Sequence, residues 1–555
     1  MLKPPARLAG RALAAARIAA EAPGTAAVVR EILKRSLGID ALARLPHEAR
    51  TRPLPCETRP TQARPPRLRP DAGLAPAAPR AGLWTAAAYQ SAFREGRATP
   101  TQVAERALAA MDALRDRRPT LNILAAADPS MTRVLAQEAT ARHAAGAPIG
   151  PLDGVPILVK DELHVAGLPS RHGSRCSPAA PRPRDATAVA RLRAAGAVIL
   201  GKTVMTEWGM SPLGANVNAA MPHNPHRPDR AAGGSSTGSA VGVALGLAPL
   251  ALGTDGGGSV RTPASLCGVF GLKPTYGRVS QTGGLIGGSV THVGPIGASV
   301  ADLVTFLDVA ASDPDAADPL TAWAPRVEAS FGAQIGAGVR GLRVGVIEAE
   351  WQDASPAIAA ACREALRALE QAGAVLVPVE VPLARHAPAI GYLTIGPEVL
   401  ADHLQDWLER RPLMTDDLRL SMAALSGITA VEQLDAQRLR ARLRQEVATA
   451  LGQVDLLALP TLAGGAPRFT EEDARRSFSD PGATDELCRF AFLGNLTGLP
   501  AASAPVGVDG EGVPIGLQLM GDAWDEATVL AAVAHLERTE VAAARRPPGA
   551  LDLVG

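Results

Sequence analysis

Aromatic side chains are scarce in this chain: its 555 residues include three Tyr, six Trp and eight Phe. That leaves little material for the stacking platforms on which single-stranded nucleic acids are held. A global field to attract such a partner is missing too, because 56 basic and 55 acidic residues leave a net charge of +1. The five cysteines (Cys56, Cys176, Cys267, Cys362, Cys488) are scattered without C-x-x-C spacing, which speaks against a disulfide framework and against a zinc knuckle. Reduced thiols in a cytoplasmic setting are the expectation. No apolar run approaches the roughly 18–20 residues that span a bilayer. At the basic amino terminus, Arg17 and Glu21 interrupt any signal-peptide core.

What is present is apolar bulk. Hydrophobic residues make up 47% and charged residues 20% of the chain, enough for a large buried core. Residues 1–45 form a helical, basic extension in which Val28, Val29, Ile32 and Leu33 share one face. Such a helix can lie on a membrane surface or pack on the main domain or a partner subunit. Residues 46–82 are rich in Pro and Arg and read as an extended linker. A single catalytic domain is expected from 83 to 545. Thr99-Pro100-Thr101-Gln102 opens a helix with a capping box and proline at the first turn. Short apolar runs bounded by Gly or Pro (ILAAAD, VPILVK, AVILGKT, PLALGTD, and later LRVGVIEA, AVLVPVEV and DLLALPTL) alternate with helical stretches. That alternation indicates an α/β fold around a largely buried sheet. Residues 385–450 read as mostly helical and 466–487 as polar loop.

Three short stretches hold the chemistry. In Asp255-Gly256-Gly257-Gly258-Ser259 the glycines let the backbone turn sharply and point N–H groups at a carbonyl beside Ser259. Each such donor is worth about 2.7–4 kcal/mol to an oxyanion; read alone, the stretch is also an ordinary loop. Lys160 closes the apolar run GVPILVK. Burial disfavours the ammonium form, so a neutral amine there can act as base; the other reading is a lysine reaching solvent from a strand end. Asp161 and Glu162 follow it and would favour the charged form if they faced it. Ser235 and Ser236 follow Gly233-Gly234 before a helical run. They suit an N-cap, and a serine that donates and accepts at once can also relay a proton. A base, a relay and a nucleophile make amide hydrolysis the leading reading. His223-Asn224-Pro225-His226 has a ligand-like gap but reads as a solvated turn.

Together these stretches resemble the amidase signature family of serine hydrolases. Lys160, Ser235 and Ser259 stand 75 and 24 residues apart, spacings usual in that family. LCGVFGLKPTYGRVS, GPIGASVADL, NLTGLPAASAPVG and GVPIGLQLMG follow in the family's order. The resemblance implies a large mixed, twisted β-sheet covered by helices on both faces. It implies Lys160 as base, Ser235 as relay after a cis Gly234–Ser235 peptide, and Ser259 as the acylated nucleophile. It further implies an oxyanion hole from Gly256, Gly257, Gly258 and Ser259, a Gly209 carbonyl that orients the site, and an Asp255–Arg261 pair bracing the turn, with Ser236 in support. No metal and no organic cofactor are implied. The leader and the segment PLALGTDGGGSVRTPASLCGVFGLKPTYGR are similar to plant-type fatty acid amide hydrolases. In that group the substrate is an N-acylethanolamine or related fatty amide, and the leader helices serve membrane contact and homodimerisation. The expected partner is accordingly a small amide with an acyl chain, not nucleic acid. The expected location is cytoplasmic with peripheral membrane contact. The alternatives are an amidase for small aryl, aliphatic or peptide amides, and an aminoacyl-tRNA amidotransferase subunit.

Overall fold

The computed structural model of the protein describes residues 7–51, 83–284, 288–326 and 330–555. Most of the Pro/Arg-rich linker, with Cys56, lies outside the described residues.

Among the described residues, eleven strands join one mixed sheet. They are β1 (Leu124–Ala126), β2 (Pro156–Lys160), β3 (Val198–Thr203), β4 (Leu250–Asp255), β5 (Phe270–Lys273), β6 (His292–Gly297), β7 (Arg343–Val346), β8 (Val375–Pro378), β9 (Leu456–Pro460), β10 (Ala501–Val508) and β11 (Pro514–Gly521). Their spatial order is β1-β3-β2-β4-β6-β5-β10-β11-β9-β7-β8. β2 runs parallel to both β3 and β4, with Ile157 opposite Leu250 and Val159 opposite Leu252. Every residue of β2, β3, β4, β5, β6, β9 and β11 is buried. Since alternate residues point to opposite faces, both faces of the sheet are covered, and the continuous apolar runs follow from that. The edge strands β1 and β8 are short and partly exposed, as befits strands with an unpaired side.

The seven apolar runs read from the sequence all become strands. β5, β6, β10 and β11 fall in the glycine- and proline-rich motifs and had no strand signal. The helix at Thr99 starts with its capping box and runs over Pro100–Asp116. The region 466–487 departs from the loop expected there. It forms the helices Glu471–Arg476 and Pro481–Cys488. Thr470 and Asp473 close a capping box on the first, and Asp480 caps the second. Acidic residues that looked merely polar are the caps and first turns that satisfy free N–H groups.

The leader helices α1 (Gly10–Glu21) and α2 (Ala26–Ser36) meet at a bend of 116° and pack on the helix Asp416–Leu425 of the main domain. Leu13, Val29 and Leu33 join a core with Leu418, Leu425 and Val399. Arg17 pairs with Asp416 at 3.0 Å, Arg419 with Glu21 at 2.6 Å, and Lys34 with Glu432 at 2.7 Å. The apolar face predicted for α2 is therefore divided. Val29 and Leu33 turn inward, whereas Val28 and Ile32 are 63% and 52% exposed.

Candidate active site

The parallel strands β2 and β4 end side by side, and crevices outside such ends are where α/β sheets bind ligands. Lys160 is the last residue of β2; Thr254 and Asp255 are the last of β4. The Lys160 ε-amine is buried and donates to Ser235 Oγ at 2.7 Å and to Thr254 Oγ1 at 2.6 Å. It also lies 2.9 Å from Glu162 Oε2, to which the Thr254 hydroxyl donates in turn. Of the two acidic neighbours left open by the sequence, Glu162 is thus the one that faces the amine. Asp161 turns away. Its carboxylate lies 3.1 Å from Lys202 Nζ and accepts N–H bonds from Arg171 and Gly173. Burial pulls the Lys202 ammonium down to about 8, against the pull of Asp161.

Ser235 stands between Gly234 and Ser236 at the entrance to the helix Thr237–Ala244, and the Gly234–Ser235 peptide is cis. Ser236 occupies the N-cap position without a side-chain cap bond. Its N–H donates to the Ser259 carbonyl at 3.2 Å and its hydroxyl to the Thr254 carbonyl at 3.3 Å. It therefore ties the segment bearing Ser235 to the segment bearing Ser259.

Ser259 is half-buried and opens on a cavity that is also lined by Ser235, Gly209, Gly256 and Gly257. No hydrogen bond joins the Ser235 and Ser259 hydroxyls; they share the cavity. Asp255 organises the turn between. It accepts N–H bonds from Gly258 at 2.7 Å and Val260 at 3.1 Å, and it grips Arg261 through Nη2 at 2.8 Å and Nε at 2.9 Å. Although burial opposes it, Arg261 and Asn495 hold the Asp255 carboxyl far below the usual carboxylate range. One expectation needs correction here. The Gly258 N–H is already committed to Asp255, so it is not free for an oxyanion, and the donors that remain are those of Gly256, Gly257 and Ser259. Gly258 matters for shape instead: its φ is +117°, and a Cβ there would lie 2.7 Å from Ala491 Cβ. A Cβ on Gly257 would lie 2.6 Å from the Phe492 ring.

Gly209, at φ +71°, lines the cavity beside Ser235, and a Cβ on it would fall 3.3 Å from Ser235 Oγ. Trp208 precedes it at φ +53° and stacks on His403 with centroids 4.0 Å apart. Thr254, Trp208, Tyr392, Cys488 and Phe492 also line this cavity, and sequence reasoning missed them. For Thr254 the signal was its place beside Asp255 at a strand end. For Tyr392 and Phe492, whose rings meet edge-on at 5.1 Å, there was none, because helices far apart in sequence bring them together. His223 and His226 face the carbonyls of Pro228 and Cys267 at 2.7 and 3.0 Å, away from this site.

A second cavity adjoins the first. Met210, Ser211, Pro212, Tyr392 and Thr484 line both, and the second is completed by Leu418, Leu425 and, from the leader, Leu33, Ser36 and Leu37.

Comparison with known proteins gives this geometry its context. The Amidase family model matches residues 105–530. A fatty acid amide hydrolase of Medicago truncatula is 35% identical over 481 residues, spanning 85% of this chain and 79% of the relative. A glutamyl-tRNA(Gln) amidotransferase subunit of Chloroflexus aurantiacus is also 35% identical, over 80% of this chain and 94% of its own. Among solved structures, the native peptide amidase from Stenotrophomonas maltophilia superposes with a TM-score of 0.72 at 30% identity, covering 85% of this chain and all of that one. The chain belongs to the amidase signature family and is a hydrolase acting on amide C–N bonds.

Proposed function

We propose that this enzyme cleaves fatty acid amides, N-acylethanolamines among them, to acid and amine through an acyl-enzyme on Ser259. Lys160 draws a proton through Ser235 while Ser259 attacks the amide carbonyl; the Ser235–Ser259 hydrogen bond that this transfer needs forms only as substrate brings the reacting groups together. The oxyanion rests on the N–H groups of Gly256, Gly257 and Ser259. The proton passes back through the relay to the departing amine, and water then releases the acid.

One observation carries the choice of substrate. The apolar cavity partly walled by Leu33 and Leu37 shares the Met210–Pro212 segment with the cavity containing Ser259. A carbonyl at Ser259 thereby has room for a long chain beyond it, under helices of the leader. Ile18, Val28 and Ile32, exposed on those helices, support peripheral membrane contact as the route for such a substrate.

A panel of a long-chain N-acylethanolamine, benzamide, a peptide amide and glutamine tests this reading. The long-chain amide is expected to give the highest kcat/KM. Faster hydrolysis of benzamide or the peptide amide would assign the enzyme to small amides, and turnover of glutamine would move it toward the amidotransferase subunits.

A further inference from the structure

Lys160 carries more than the relay serine on its amine. Its side chain is 1% exposed and that of Glu162 5%, and the Nζ–Oε2 distance is 2.9 Å. Thr254 bridges the two, receiving a hydrogen bond from the amine and giving one to the same Oε2. Glu162 also lines the cavity that contains Ser235 and Ser259. A buried base that must be neutral to work thus has a carboxylate at hydrogen-bond distance.

We infer that Glu162 is a second proton-bearing residue of the catalytic apparatus, holding the proton that Lys160 must shed before it can act as base. This inference rests on the role proposed above for Lys160. In the resting pair one proton is shared: the Lys160 N–H bond breaks and an O–H bond forms on Glu162 Oε2, leaving an amine and a carboxylic acid with no net change in charge. The amine lone pair then takes the Ser235 hydroxyl proton, and Ser235 takes that of Ser259. When the leaving amine has been protonated through the relay, the pair again holds its single proton. Shared protons of this kind titrate as a property of the pair and not of either residue.

The surroundings leave Glu162 free for this task. Asp161 is spent on Lys202 and on the N–H groups of Arg171 and Gly173. Asp255, next to Thr254, is spent on Arg261 and Asn495. The hydroxyls of Ser235 and Thr254 and, at 3.5 Å, the Thr254 carbonyl complete the contacts of the amine. Lys202 and His403 act on Glu162 through space only.

The test measures the rate at which a fluorophosphonate labels Ser259 as a function of pH, in the parent and in Glu162→Gln, Glu162→Asp and Lys160→Ala. In the parent the shared proton keeps base available, so labelling stays level on the acidic side of neutrality. Glu162→Gln retains a hydrogen-bonding group but cannot take the proton. It should show an acidic limb at higher pH than the parent, falling about tenfold per pH unit, while Glu162→Asp restores part of the level region. If the carboxylate merely held the ammonium form in place, its removal would move the limb to lower pH instead. A limb that stays put or moves down in Glu162→Gln overturns the inference; should the glutamine protein not fold, a Glu162→Asp limb at or below the pH of the parent's overturns it instead. Parent-like labelling of Lys160→Ala is a separate outcome, and it would overturn the assignment of the base itself.

Discussion

Arg261 and Asp255 clasp one another through two parallel bonds of 2.8 and 2.9 Å, with neither side chain exposed. Arg261 also donates to Gln518 and Asn495, both at 2.6 Å, and to the Ala491 carbonyl at 3.0 Å. The glycine turn is therefore anchored to β11 and to the helix Ala491–Thr497. Removing one partner strands the other as a buried charge. Arg261→Ala should cost about 3–5 kcal/mol, read by denaturant unfolding. Arg261→Lys should recover little, because an ammonium cannot reproduce the fork. A lysine variant as stable as the parent would show that the turn does not depend on this clasp.

Ser259→Ala and Lys160→Ala separate the proposed nucleophile from the proposed base. The first should abolish fluorophosphonate labelling while leaving thermal unfolding near that of the parent, since Ser259 is half-buried and faces a cavity. The second should slow amide hydrolysis by about 10²–10⁴. Covalent label recovered on Ser259→Ala protein would place the nucleophile elsewhere.

Leu33 and Leu37 offer a test confined to the leader. Truncating either to Ala removes apolar contact from the outer cavity, an effect worth about 1–3 kcal/mol in a hydrophobic pocket. Long-chain amides should lose about tenfold or more in kcat/KM, and a short amide such as acetamide should be unaffected. Equal losses on both would mean that the leader acts through the fold and not through the chain.

Asp302 gives a pH dependence of stability. Its carboxyl is buried, and burial raises it to about 7, partly offset by hydrogen bonds from Ala86 N–H and Ser299. Glu537, nearby in the field of Asp302, is likewise raised by burial to about 7. Acids raised in the fold bind more protons there than in the unfolded chain. Their contribution is fully present below the ordinary carboxyl range and is lost as pH climbs through about 7. Asp302→Asn should lessen this decline, so that its Tm improves relative to the parent between about pH 5 and pH 8. An unchanged Tm difference across that range would remove Asp302 from the account.

Where the sequence spoke clearly, it spoke through uninterrupted apolar runs. PILVK and LALGTD are buried on both faces and became β2 and β4, so the placement of Lys160 and Asp255 at strand ends could be read in advance. β5, β6 and β11 were hidden by their own glycines. A Cβ on Gly294 would lie 2.2 Å from the Leu272 carbonyl oxygen, and one on Gly516 would lie 2.6 Å from both Ser265 and Ser503. Close approach of neighbours requires glycine there, and glycine is what a strand signal is made without. The same limit held at the site. Residue types picked out Lys160, Ser235 and Ser259, which the fold gathers at one cavity, whereas which of Asp161 and Glu162 faces Lys160 depends on how the chain leaves β2. That Gly258 spends its N–H on Asp255 depends likewise on the turn.

The strip from Met210 to Pro212 divides reaction chamber from outer chamber, and the leader touches the outer one alone. If the proposed reading holds, selectivity and turnover are housed in different stretches of polypeptide, and substitutions in the leader would retune which acyl tails are admitted while the residues around Ser259 stay untouched.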